Sequence, residues 1–105
     1  MSEVIVDFAK PLLDQAEGHE SKEKAIGLAI VCWNLYLLPK HQQKEERERV
    51  LQMFPEESVE VINGIIDSLL QTRTVYFHTF KKFIMDYEVF WRGDNLHLTV
   101  ASTEI

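Results

Sequence analysis

From Ala25 to Leu38 every side chain is apolar except at Gly27 and Asn34. A helix over this run is greasy on nearly every face, so it is stable only when covered on nearly every face. The cover must be a bilayer or the rest of the chain. A bilayer needs about 20 apolar residues in a row. Here the charged segments SKEK and KHQQKEERER close the run sooner. The expectation is a buried central helix over residues 21–38, capped by Ser21 and stopped by Pro39. Gly27 and Asn34 lie seven positions apart, so they form one narrow seam along the rod. Gly27 would let another backbone come close.

The elements that cover the rod can be read on either side of it. Val4, Ile5, Phe8, Leu12, Leu13 and Ala16 recur at helical spacing and predict a first helix over 3–16. Pro11 either kinks that helix or starts it. Residues 40–54 predict a third helix, polar at first, with Val50, Leu51 and Phe54 as its apolar patch and a Glu45–Arg49 pair on its solvated face. Pro55 and the acids after it suit the first turn of a fourth helix over 56–77, whose apolar positions include Val59, Ile62, Ile66, Leu69 and Tyr76.

The last third changes period. Phe83, Met85, Tyr87, Val89 and Trp91 alternate, and after RGDN so do Leu96, Leu98 and Val100. Two period-2 runs around a Gly-Asp turn predict an antiparallel β-hairpin, with strands over 83–91 and 96–102. A hairpin alone is marginal in water, so its apolar face must lie on the helices. The expected fold is α+β in a single domain over 1–105: a four-helix N-terminal part with the second helix central, and a C-terminal hairpin packed on it.

Composition narrows the function classes. With 17 acidic against 11 basic side chains the net charge is −6, which disfavours phosphate backbones and anionic lipid. Arg73, Lys81 and Lys82 are the few residues available for a basic face. The N-terminus lacks the basic segment of a secretory leader. The one cysteine, Cys32, allows no internal disulfide and fits a reducing compartment. The expectation is a cytoplasmic protein with no nucleic-acid or membrane partner.

The segments FAKPLL (8–13), LAIVCWNLYLLP (28–39) and FIMDYEVFWRGDNLHLTVAS (83–102) resemble a type of short uncharacterised bacterial protein. In that type a Trp-Asn pair sits on an apolar helix, and a C-terminal β segment ends in a string similar to LTVAS. The resemblance implies a bacterial cytoplasmic source and a mixed helix–hairpin fold. It implies no activity and carries over no functional residue.

Residues with chemical potential are scattered. Cys32 lies mid-helix among Ile30, Val31, Trp33 and Leu35, away from any helix N-terminus and any neighbouring His, so a structural thiol is expected. His19, His41, His78 and His97 fall one to a region, without the local pairs of a metal site. Asp86 and Glu88, facing His97 or Thr99, make the best polar cluster, which reads as an exposed sheet face. RGD at 92–94 is turn chemistry. No catalytic residue, metal or cofactor is expected.

Asn34 inside the core needs its amide satisfied by another element, which predicts a register pin beside Trp33. With alternate strand residues turned inward, Ile84 and Phe90 would point outward. Phe80, Ile84, Phe90 and Trp91 are therefore the expected interface. The function expected is a small non-catalytic protein-binding or regulatory module. Its partner would be another protein or a second copy, in a homodimer or other homo-oligomer formed through the hairpin and its aromatic cluster. The competing expectation is a small-ligand binder or enzyme, with a pocket between the second helix and the hairpin using Asn34, Tyr87, His78 and His97.

Overall fold

The structure, a computed structural model, describes residues 1–104. Among them the chain order is α1 (Ser2–Gln15), α2 (Gly18–Leu35), α3 (Lys40–Met53), α4 (Val59–Tyr76), β1 (Lys82–Arg92) and β2 (Asn95–Glu104). The two strands form one antiparallel hairpin that lies on the helices, in the α+β class that the sequence predicts.

α2 is the spine. It packs against α1, α3, α4 and β1. Ile26, Ala29, Cys32 and Trp33 are fully enclosed, and Leu28, Ile30 and Leu35 are buried around them. Each large apolar side chain so enclosed stabilises the fold by about 1.5–3 kcal/mol. Trp33 meets Phe8 of α1 edge to face, with ring centroids 5.4 Å apart, and Phe77 beyond α4 at 5.8 Å. No helix of the described residues is long and apolar enough to cross a membrane.

Several element ends differ from the sequence reading, each for a local reason. α2 starts at Gly18, whose φ of 81° turns the chain out of α1, so Ser21 lies inside the helix rather than at its cap. Its last turn tightens, with Leu37 N–H donating to Asn34 and Leu38 N–H to Leu35, because Pro39 forces the preceding residue out of the helical region. α4 starts at Val59 rather than in the turn containing Pro55, because Ser58 caps it by accepting from Val61 N–H at 3.2 Å. α1 begins at Ser2 and continues through Pro11, which is exposed, so Pro11 does not start it. The carbonyl that loses its donor belongs to the exposed Asp7. Arg49 pairs with Glu46 at 2.6 Å rather than with Glu45.

The hairpin closes through Gly93 and Asp94. Gly93, at φ 61°, takes the left-handed first loop position that only glycine fills cheaply. Tyr87, Val89 and Trp91 pair with Val100, Leu98 and Leu96, and these six side chains face the helices. A bulge lies between Ile84 and Asp86. Met85 is the extra residue and is 68% exposed, while Ile84 is 3% exposed. The bulge reverses the alternation, so Met85 leaves the inward row and Ile84 joins the core.

Candidate functional site

The outward side of the hairpin is the surface on which the sequence reading places its interface. What that surface can do depends on how each strand edge is held.

The start of the β1 edge, at Lys82 and Ile84, is occupied by α2. Asn34 Nδ2 donates to the Ile84 carbonyl at 2.9 Å, and Ile84 N–H donates to Asn34 Oδ1 at 2.8 Å. Trp33 Nε1 donates to the Lys82 carbonyl at 2.8 Å. A side-chain amide thus does for β1 what a neighbouring strand would do. The need of a lone core amide for a partner pointed to this pin at Asn34. Gly27, its partner in the seam, receives no backbone. The Tyr87 hydroxyl leans over it instead, 3.1 Å from where a Cβ would stand.

Arg73 anchors the start of the ribbon. It is fully buried, with its guanidinium 3.7 Å from the centroid of the Trp33 ring and 4.6 Å from that of Tyr36. It donates to the carbonyls of Phe77, Phe80 and Trp33, holding the turn that leads from α4 into β1. Burial pushes its pKa down to about 10, against a smaller raising pull from Tyr36, so it stays charged at neutral pH. The basic face that would have used Arg73 is therefore absent from the surface. A signal was available: Ile62, Ile66 and Leu69 are buried on one stripe of α4, and the next position on that stripe is 73. Val59 and Tyr76, expected to be apolar-face residues of this helix, are 59% and 76% exposed.

The β2 edge has no such hydrogen-bonded cover, although α1 packs against β2. The Ile84 peptide points away from β2 toward Asn34, so Ile84–Ser102 is a non-hydrogen-bonded pair. By the period of two, the peptides of Ser102, Val100, Leu98 and Leu96 all point away from β1. Among the described residues nothing donates to or accepts from them. From Leu96 to Thr103 the strand has no Lys, Arg, Asp, Glu, Pro or Gly, and no bulge.

Of the four expected interface residues, the structure turns only Phe90 to the outer face. It is 39% exposed and stacks on His97 with centroids 5.1 Å apart. Ile84 is core, a correction that the bulge dictates. Phe80 is half-buried against Trp33, with centroids 5.9 Å apart. Trp91 faces inward and stacks on His19 at 3.7 Å, its indole N–H buried without a partner. His19 Nε2 lies 3.6 Å from Asp94 Oδ1 at the hairpin turn.

The four residues of the pocket reading do not share a cleft. Asn34 has its amide engaged by Ile84 and borders a recess of about 390 Å³ with Leu38, Arg49 and Phe83. Tyr87 stands over Gly27. His78 is exposed in the turn after α4, and His97 lies on Phe90. Asp86 and Glu88 are exposed opposite Ala101 and Thr99, and Asp86 accepts from the N–H of Tyr87 at 2.9 Å. Cys32 is enclosed, and burial pushes its thiol up to about 12 against a smaller pull from Arg47, so it carries no thiolate at neutral pH. Among the described residues no group of three or more His, Cys, Asp or Glu side chains is placed to hold a metal ion.

In comparison with known proteins, no family model matches this chain, and neither a curated protein nor a solved structure matches it.

Proposed function

We propose that this protein is a small non-catalytic protein-binding module that assembles with a second copy of itself, β2 edge against β2 edge. The observation that carries the reading is the asymmetry of the ribbon. At the start of β1 the outward Lys82 carbonyl and the Ile84 N–H and C=O are engaged by Trp33 and Asn34. No outward group of Leu96, Leu98, Val100 or Ser102 has a partner among the described residues. The outer edge of β2 is thus unpaired along its whole length, and that of β1 only toward the hairpin turn. Proteins blunt an open edge with charge, proline or a bulge. β1 carries four charged residues besides its bulge, while β2 is neutral up to Glu104. An antiparallel partner of the same sequence brings no like charges together along that stretch. It turns a marginal two-stranded ribbon into a four-stranded sheet. Phe90 and His97 then lie on the outer face of that sheet, available to a further partner. The sequence expectation of a bacterial cytoplasmic setting goes with this reading.

Light scattering coupled to sizing, over a range of concentrations, tests it. The mass expected is twice 12.3 kDa, falling toward one chain on dilution. Ser102→Pro removes an outward donor without touching a β1–β2 bond. Thr99→Lys with Ala101→Lys sets like charges across the seam. Both variants should be monomeric with helicity retained. A strict monomer at the highest soluble concentration overturns the reading.

A further inference from the structure

We infer that the trough bounded by α1, α2 and α4 is a docking groove for an amphipathic helix with basic flanks. The trough consists of three recesses that share lining residues end to end. Its first stretch, about 300 Å³, runs between Leu12 of α1 and Val61, Ile65 and Thr72 of α4. Its middle, about 450 Å³, shares Leu12, Val61 and Ile65 with the first and reaches Leu28 and Phe54. Its far end, about 430 Å³, shares Leu28, Met53 and Phe54 with the middle and finishes at Gly27 and Tyr87. Along α4 alone, from Val61 to Thr72, it spans about 16 Å, or three turns of a bound helix.

The floor is apolar and in part exposed. Met53 is 58% and Val61 51% accessible, and an adaptable methionine at a groove mouth suits an apolar helix face. The rim is acidic. Glu20 and Glu23 flank one side, and Glu56, Glu57 and Glu60 the other. The basic residue of the trough, Lys24, is paired with Glu20 at 3.5 Å. Among the described residues no cation pairs with Glu23, Glu56, Glu57 or Glu60. An apolar floor inside an acidic rim, four of whose five carboxylates have no paired cation, complements one kind of occupant: apolar side chains at i, i+3, i+4 and i+7, flanked by Lys or Arg. Acidic helices and anionic lipids meet repulsion there. No residue of the β2 edge lines the trough, so the inference stands or falls independently of the self-assembly proposed above.

Fluorescence anisotropy with the full chain tests it, using a labelled synthetic Leu/Lys amphipathic helix of about five turns. The comparison peptides are a scramble of the same composition and a Leu/Glu counterpart. The Leu/Lys helix should bind one to one, and the two comparison peptides at least about tenfold more weakly. Val61→Arg, which fills the floor, should weaken binding about tenfold or more, as should the rim triple Glu56→Lys, Glu57→Lys, Glu60→Lys. The charge-matched triple Glu3→Lys, Glu45→Lys, Glu48→Lys lies off the trough and should change binding less than about twofold. Circular dichroism checks the fold of each variant. The rim triple, confined to exposed side chains, decides the matter should Val61→Arg fail to fold. Equal binding of the scramble, equal loss in the off-trough triple, tight binding of the Leu/Glu helix, or no binding at all overturns the inference.

Discussion

Asn34 and Ile84 are 50 residues apart in the chain, yet the side-chain amide of one forms a two-way hydrogen-bonded pair with the backbone of the other. That pair joins the central helix to the ribbon at the residue beside the bulge. It sets the inward face of β1, the free face of β2, and the exposure of Met85. Removing the amide leaves an N–H and a C=O without their partners in a partly buried position. Asn34→Ala should lower the unfolding free energy by about 1–3 kcal/mol in urea titrations. Amide exchange at Ile84 should quicken well beyond that at Phe90, whose N–H is held in the β1–β2 ladder. Unchanged exchange at Ile84 would mean that the pin is not holding the strand.

Arg73 is a buried cation that three carbonyls and two aromatic rings satisfy. Lysine has neither the fork to reach separate carbonyls nor a plane to stack. Arg73→Lys should therefore cost about 2 kcal/mol or more, despite conserving charge. The near-ultraviolet signal of Trp33 should change with it. A thermal midpoint equal to that of the parent chain would contradict this account of the hub.

Two glycines should respond with opposite signs. Gly64 sits in α4 with nothing within 4 Å of an added Cβ, so Gly64→Ala should stabilise by about 1 kcal/mol through helix propensity. Gly93 holds φ at 61° in the hairpin turn, so Gly93→Ala should destabilise by about 1–2 kcal/mol. Paired denaturation curves read both. The same sign for both changes would refute the turn geometry.

The thiol of Cys32 titrates near 9.0 when exposed and is pushed to about 12 in the fold. The folded state therefore keeps a proton that the unfolded state gives up. The associated stability is fully present below pH 9 and is lost as pH rises toward 12, at up to about 1.4 kcal/mol per pH unit. Cys32→Ala should remove this part of the alkaline slope. A thiol reagent should label the native chain only at the rate of unfolding.

The legible parts of the molecule are those where local pattern and burial agree. The run around Cys32 reads as a spine because no face of it tolerates water. Asn34 reads as a pin because a lone amide in such a run must find a partner. The hairpin reads from two alternating segments around Gly93. Register was not legible. Residues 83, 84 and 85 are all apolar, so the pattern supports either parity, and one extra residue at Met85 moved Ile84 from the outer face to the core. Arg73 was missed because its charge suggested the surface, although its position on the α4 stripe marked it as buried. The acidic trough was not legible because its walls come from all four helices, from the α3–α4 connection and from Tyr87 of β1.

The sequence by itself determined that a helix around Cys32 must be wrapped by its own chain and closed by a C-terminal ribbon. Apolar surface on every side makes such a helix stable in water only when it is covered on every side. Only the tertiary structure decided which part of that ribbon's edge is sealed and which is open. That choice rests on where Trp33 and Asn34 meet backbone groups 49 and 50 residues away in the chain, and such hydrogen bonds leave no periodicity to read.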